Sequence, residues 1–177
     1  MTGRAWTLLY GPAGNPAGTV GDYIDDVAPG SVIVLDNGGR DNATVWGDIL
    51  TEVAHARGVA GTVIDGIYRD VALSLQLGYP ISAAATGCAR ARTACRSRPR
   101  ACRSTSATCA CARAISLRGD ADGVVVIPKA QEDQVLATAE AIQQAEDAIR
   151  ASVRDGMGLR EARVRHGYHQ LQTREAK

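Results

Sequence analysis

Two adjacent residues concentrate the most chemistry in this chain. Arg69 and Asp70 follow an apolar, β-rich run, Val59–Ile64, and an Asp65-Gly66 turn signal, which puts them at a strand-to-helix junction, where α/β proteins commonly bind ligands. A guanidinium stabilises enolate or carboxylate oxygens, and a carboxylate beside it can hold a hard divalent cation. Gly47 stands 22 positions before Arg69, at the opening of an amphipathic segment. A helix start there presents unpaired backbone N–H groups and the positive end of the helix dipole, a seat for a carboxylate or phosphate. The glycine lets a ligand come close. The bland alternative is a surface ion pair in which Asp70 only caps a short helix, and the residue types alone favour it.

Other routes to chemistry are thinly supplied. A Schiff-base mechanism needs a buried lysine, and the two lysines are Lys129, at a helix start, and Lys177, the last residue. Zinc held by histidine is weakly supported: His55 lies in a helical segment, and His166 and His169 sit in a polar C-terminal stretch, so each reads as a surface or cap residue. The five cysteines all fall between Gly87 and Ala114, four of them at a seven-residue interval (Cys88, Cys95, Cys102, Cys109). That interval does not provide the close pairs by which a tight turn brings two thiolates to one ion.

The elements that must position Gly47, Arg69 and Asp70 read as strand, helix, strand, helix. Ala5–Tyr10 and Ser31–Asp36 are β-rich, and Asn37-Gly38-Gly39 after the second is a turn signal. From Val45 to Arg57 the apolar residues Trp46, Ile49, Leu50 and Val53 fall at helical spacing, with Asn42 or Thr44 as cap and Gly58 as stop. Asp70 caps a short helix through Leu77. Val124–Ile127 is a further strand, and Val135, Ala139, Ile142, Ile149 and Val153 trace one face of a long C-terminal helix. With no Phe at all, the core must be aliphatic, which favours assembly into oligomers. There is no apolar run of about 18 residues, and the N-terminus lacks a signal-peptide pattern. The chain reads as cytoplasmic, with no membrane or nucleic-acid partner.

Asp36-Asn37-Gly38-Gly39-Arg40, Trp46-Gly47-Asp48-Ile49-Leu50, Arg57-Gly58-Val59-Ala60-Gly61, Ile64-Asp65-Gly66-Ile67-Tyr68-Arg69-Asp70 and Gly119-Asp120-Ala121-Asp122-Gly123-Val124-Val125-Val126-Ile127-Pro128 resemble the 4-hydroxy-4-methyl-2-oxoglutarate aldolase family, which is related to the regulator of ribonuclease E activity A. The resemblance covers Thr7 to about Ala83 and Leu117 to nearly the end. It implies an α/β fold, a swivelling β/β/α single domain that assembles as a homotrimer with sites at subunit interfaces. It implies that the backbone from Gly47 through Asp48 and Ile49 to Leu50 binds the substrate carboxylate. Arg69 would hold the oxo acid and stabilise the enolate, Asp70 would ligate the metal, and Asp48 would touch the metal's water shell. The implied cofactor is Mg²⁺ or Mn²⁺, a Lewis acid on the carbonyl that keeps most of its waters. Retro-aldol cleavage and oxaloacetate decarboxylation both pass through a pyruvate enolate, so one site would serve either. The alternative the resemblance leaves is a non-catalytic regulator that binds an endoribonuclease; such regulators lack the aspartate of Arg-Asp. The family begins with a further helix and turn before its first strand, so the chain reads as N-terminally truncated.

One stretch does not belong to this pattern. Residues 87–114 use only Ala, Arg, Cys, Ser, Thr, Gly and Pro, and eight arginines with no acidic residue lie between Thr86 and Arg118. Removing them leaves twelve basic residues against nineteen acidic ones. A phosphate-binding arm is one reading, but no aromatic residue is present to stack on bases. All seven types have codons with G or C in the second position, the alphabet that a shifted frame yields in a GC-rich gene. We therefore read residues ~87–114 as out of frame and unstructured, unable to form a strand, and standing where core strands with a Pro-Val…Gly-Gly pattern belong. The domain is then 1–155, interrupted by this stretch, followed by a polar tail, 156–177. Sequencing the locus is expected to reveal compensating frame changes near codons 83–87 and near codon 115; an uninterrupted frame with the same codon pattern overturns this reading.

Overall fold

The computed structural model describes residues 1–12, 19–87, 95–98, 104–106, 109–111 and 115–171. The chain divides into two compact units, Met1–Lys129 and Ala130–Lys177. The first unit opens with β1 (Thr2–Pro12), a 3₁₀ turn (Asp22–Asp26), β2 (Val32–Thr44), α1 (Asp48–Ala56), β3 (Gly61–Tyr68), α2 (Val71–Leu77) and β4 (Ile81–Thr86). It continues with β5 (Cys95–Arg98), β6 (Ser104–Ser106), β7 (Cys109–Cys111), β8 (Ser116–Gly119) and β9 (Val124–Ile127).

One sheet runs β4-β3-β2-β1-β8-β9, with β5 also paired to β1, and β6 with β7 forms a separate hairpin. Strands β1 to β4 pair in parallel, while β8 and β9 are antiparallel. Parallel neighbours need crossover connections, and α1 and α2 supply them between β2 and β3 and between β3 and β4. The β2 run Val32-Ile33-Val34-Leu35 is continuously apolar because both faces of that strand are covered. Ile33 and Leu35 join Leu8, Tyr10, Ile64, Ala54 and Trp46 in one core, and Val32 and Val34 join Ala5 and Leu117 in the other.

The structure changes several of the expected boundaries. Strand β2 does not stop at Asp36. It continues to Thr44 through two register shifts, because β3 runs on beside it and still offers partners, Gly66 for Arg40 and Ile67 for Thr44. Asn37-Gly38-Gly39 is thus a bulge within the strand and not a turn between elements, with Gly38 and Gly39 at φ 63° and 66°. Asn37 Nδ2 donates to Ala43 O at 2.8 Å and the Gly38 amide to Asp36 Oδ1 at 2.9 Å, which satisfies part of the irregular backbone. Asp65-Gly66 likewise lies inside β3. Burial, then the neighbouring Asp36, raises the Asp65 carboxyl above its ordinary value.

Because Thr44 is still in the strand, α1 starts at Asp48. Its N-cap is Gly47, not Asn42 or Thr44, and no side chain of the cap residue bonds the helix. That start buries Thr51 and Ala54, and leaves Ile49 on the outside at 73 % exposure. The stretch read as incapable of a strand contains β5, β6 and β7; apart from Gly87, its other residues lie outside those described. Backbone pairing requires no particular side chain, and the Leu9–Pro12 half of β1 offers β5 an edge to pair with.

In the second unit, α3 (Glu132–Arg154) is followed by α4 (Leu159–Arg165) and α5 (Tyr168–Leu171), so the polar segment after residue 155 contains two short helices. Of the expected α3 face, Ile149 is buried while Val153 is 40 % exposed. Ala162 of α4 is buried, and Ser152 and His166 share a 2.9 Å hydrogen bond. Glu132 and Asp133 open α3 and Arg154 ends it, each sign suited to its end of the helix dipole.

Tyr79 connects the first core to the sheet through a 2.8 Å hydrogen bond between its hydroxyl and Thr62 Oγ1. Burial pushes the Tyr79 phenol from 10.0 up to about 12. The fold therefore favours the neutral phenol: this contribution is complete below the ordinary value and is lost as the pH rises toward the folded value. Tyr79→Phe is expected to lose about 1 kcal/mol at pH 7 in denaturant unfolding. It should also show a shallower fall in stability than the parent from pH 10.0 to about 12, the window set by this residue.

Candidate active site

The site is assembled where β2 and β3 leave the sheet. The Arg69 amide, just past β3, donates to the Trp46 carbonyl, just past β2, at 3.1 Å. This bond sets Arg69 and Asp70 beside Gly47 and the first turn of α1. Trp46 is itself fixed: its ring is buried, stacks on Tyr79 with centroids 6.2 Å apart, and donates from Nε1 to Thr51 Oγ1 at 2.8 Å. Thr51 Oγ1 in turn donates to the Gly47 carbonyl at 3.0 Å. The loop entering α1 is thereby tied to the helix it starts.

Gly47, Asp48, Arg69 and Asp70 come together at this point. Asp70 Oδ2 lies 3.2 Å from Arg69 Nε and accepts the Asp48 amide at 3.3 Å. Asp48 Oδ1 accepts the Ile49 amide at 2.8 Å. Two amides of the helix start therefore bind the protein's own carboxylates, which occupy the seat an incoming anion would take. Asp70 occupies the cap position of α2, but its side chain bonds the start of α1 instead. Among the described residues, its Oδ1 makes no hydrogen bond, so one oxygen of the carboxylate is available as a ligand.

The glycine at 47 is required by space and not by conformation, because its φ of −152° is open to any residue. A Cβ there would lie 2.9 Å from Asp70 Oδ2 and 3.3 Å from Arg69 Nε, displacing both functional groups. Asp70 is the only non-glycine residue with positive φ among those described, at 61°. Left-handed backbone costs an ordinary residue roughly 1–2 kcal/mol, less for Asp or Asn, and such outliers cluster at functional sites.

A cleft of about 800 Å³ opens at this point, lined by Gly47, Asp48, Ile49, Leu50 and Arg69 on one side. On the other side it is lined by Val20, Gly21, Asp22, Ile24 and Asp25. Leu50 is half-buried against the first core, whereas Asp48 and Ile49 are exposed. The Val20–Asp25 wall carried no motif in the sequence. Only the tertiary packing of the 3₁₀ turn against α1 brings it to the cleft. His55 is exposed on α1 and Lys129 is exposed, and neither lines the cleft.

The donor set suits a sparse, hard-cation site. Among the described residues no three His, Cys, Asp or Glu side chains converge, so zinc-type coordination finds no support there. Magnesium and manganese take oxygen ligands, and magnesium keeps several of its waters. One carboxylate with a free oxygen, Asp70, with Asp48 next to it, fits such an ion, and the space a Gly47 Cβ would fill remains open beside it.

A sheet parallel from β1 to β4, with an arginine and a carboxylate at its strand ends beside a helix start, defines the class as a small α/β domain. Residues 1–126 match the model of the RraA-like family, Aldolase/RraA, and the chain belongs to that family. Its β/β/α fold is that of solved relatives. An uncharacterized protein of Pseudomonas syringae pv. tomato aligns with a TM-score of 0.85 at 32 % identity, covering 92 % of this chain and 78 % of that one. Streptomyces coelicolor RraAS2, described as an unusual member of the RNase ES inhibitor RraA family, aligns at 0.77 and 25 % identity, covering 85 % and 77 %. A protein of Halalkalibacterium halodurans with the provisional name 4-hydroxy-4-methyl-2-oxoglutarate aldolase is 33 % identical over 132 residues, which is 75 % of this chain and 62 % of that protein. The chain spans between 28 % and 62 % of the length of the curated relatives it matches. No helix among the described residues is long and apolar enough to cross a membrane.

The left-handed backbone at Asp70 can be separated from its side-chain contacts. Asp70→Ala and Asp70→Gly both remove the carboxylate, but glycine alone relieves the backbone cost. The glycine variant is expected to be about 1 kcal/mol the more stable of the two in denaturant unfolding. Equal stabilities would mean that residue 70 is not held left-handed.

Proposed function

We propose that this chain is a divalent-metal-dependent lyase that cleaves 4-hydroxy-4-methyl-2-oxoglutarate-type 2-oxo acids to pyruvate, with oxaloacetate decarboxylation as a side activity. The observation that carries the reading is the convergence of Arg69, Asp70 and the Gly47–Asp48 helix start, with Asp70 Oδ2 within 3.3 Å of both Arg69 Nε and the Asp48 amide. A bound Mg²⁺ or Mn²⁺ would supply Lewis-acid polarisation of the 2-oxo group, with Asp70 as its protein ligand and Asp48 toward its water shell.

The chain's own residues do the rest. The substrate carboxylate takes the seat at the start of α1, where it exchanges with the protein carboxylates now bonded to the Asp48 and Ile49 amides. Arg69 offers its planar array of N–H donors to the 2-oxo oxygen as enolate charge develops. Asp48, exposed at the mouth of the cleft, accepts the proton released from the C4 hydroxyl through a water molecule. Assembly into a homotrimer belongs to this proposal, since Ile49 presents an apolar side chain, 73 % exposed, beside the site for a neighbouring subunit to cover.

A second reading has specific support. The similarity to Streptomyces coelicolor RraAS2 and the lack, among the described residues, of a three-ligand metal cluster favour a non-catalytic regulator that binds an endoribonuclease. On likeness to named relatives alone, that reading carries more weight. The carboxylate at residue 70, placed at the helix start, is what moves our conclusion to the enzyme.

The protein is expected to release pyruvate from oxaloacetate above the metal-only rate, and only with Mg²⁺ or Mn²⁺ present. Asp70→Ala should lower kcat/KM by roughly 100-fold or more. Full activity in that variant or in excess chelator overturns the lyase reading. Inhibition of a ribonuclease by a protein with no lyase activity establishes the second.

A further inference from the structure

In the second unit the long helix is covered near its carboxyl end and bare over part of its amino-terminal half. Helix α3 has 23 residues and so spans about 35 Å. Toward its carboxyl end Ile149 is buried, Ser152 bonds His166, and the Met157 amide, in the turn before α4, donates to the Ser152 carbonyl at 3.0 Å. From Leu136 to Ala141, in contrast, every residue is exposed. Packing supplies most of the stability of a helix in water, and a segment exposed on all sides gains none of it. Leu136 stands in that segment, 48 % exposed.

Charge is segregated between this segment and α4. Asp133 and Glu140 lie three residues before Leu136 and four after it, so the three share one face of α3. Both carboxylates are exposed and make no ion pair among the described residues, whereas Glu146 and Asp147, farther along, are held by Arg150. On α4 the sign reverses. Arg160, Val164 and Arg165 line an open concavity of about 650 Å³ together with Gly158 and Glu161. Val164 is 72 % exposed, and neither arginine makes an ion pair among the described residues. Glu161 opposes the two guanidiniums with a single carboxylate, so this face stays positive.

We infer that these two faces meet between two copies of this chain: Leu136 of one copy seats beside Val164 of the other, in the concavity of α4, with Asp133 and Glu140 set against Arg160 and Arg165. The occupant is read from charge complementarity. An exposed leucine between two unpaired carboxylates matches an exposed valine beside two unpaired arginines, an apolar centre with a charged rim. Each copy carries both halves, so the surface is self-complementary. Two α3 helices set antiparallel about a two-fold axis bring the amino-terminal half of each to the α4 of the other, and the contact forms twice and closes. It lies wholly in the second unit and uses no residue from Gly47 to Asp70. It therefore stands or falls apart from the lyase reading, and it is separate from any assembly at Ile49.

The mass of the full chain in solution, measured by light scattering or sedimentation over a concentration series, tests the contact. Two charge-reversed variants are compared with the parent, Asp133→Arg/Glu140→Arg and Arg160→Glu/Arg165→Glu. The parent is expected to reach twice the mass of either variant, because each variant sets like charges face to face. An equimolar mixture of the two variants pairs acid with base again at both contacts, in reversed order, and should recover the doubled mass. Variants that had merely unfolded could not do so. Added salt should weaken the association, since the paired groups lie at an exposed rim. The reading is a ratio of masses, so assembly at Ile49 leaves it unchanged. A parent no heavier than the variants overturns the inference and leaves the two faces to solvent or to a different protein. A mixture that stays at the lower mass overturns it as well.

Discussion

The site depends on one backbone hydrogen bond, from the Arg69 amide to the Trp46 carbonyl. Strands β2 and β3 pair in parallel, so both chains leave the sheet at the same end, and this bond holds them together for one more residue. A parallel pair can place the end of one strand and the start of the next helix side by side without a tight turn, which is why ligand sites gather at such edges. Trp46 is the fixed partner in the bond. Its indole is buried, stacked on Tyr79 and bonded to Thr51, so the carbonyl it offers has little freedom to move.

From that bond follows the charge arrangement. A carboxylate at a helix N-terminus is favourable, and a carboxylate beside a guanidinium is favourable; Asp70 satisfies both with one oxygen. It does so from a left-handed backbone that an ordinary residue adopts reluctantly. A residue that served only to cap α2 would have no reason to reach across to α1. The side chain instead spans the two elements whose junction forms the cleft, and its second oxygen stays unengaged.

The basic, cysteine-bearing stretch has a different status. Its composition cannot fill a core, yet three short strands occur within it: β5 pairs along β1, and β6 and β7 pair with each other, since backbone pairing requires no particular side chain. The first core and the site, by contrast, are built from residues before Thr86, and the second core receives its far side from Leu117, Val124 and Val126. From the described residues of that stretch, the elements that position Gly47, Arg69 and Asp70 take the pairing of β5 along β1 and the bond from the Gly87 amide to the Tyr68 carbonyl at 2.9 Å, just before Arg69.

Taken by itself, the sequence determined the strand–helix–strand–helix order, the apolar β2 run and the adjacency of Arg69 and Asp70. These are local facts, carried by hydrophobic period and by neighbouring residue types. It misplaced the start of α1, because Asn37-Gly38-Gly39 has the composition of a turn, and only the continuing neighbour β3 makes it a bulge. It could not reveal that Asp70 bonds the helix before it rather than the helix after it, since that contact crosses 22 residues. Nor did it mark Asp22 as part of the cleft: an exposed carboxylate has no periodicity, and its place is set by a turn packed along a helix. Tertiary structure decided those points because each depends on which backbone groups find partners and which surfaces find cover, and neither is settled within a local window of residues.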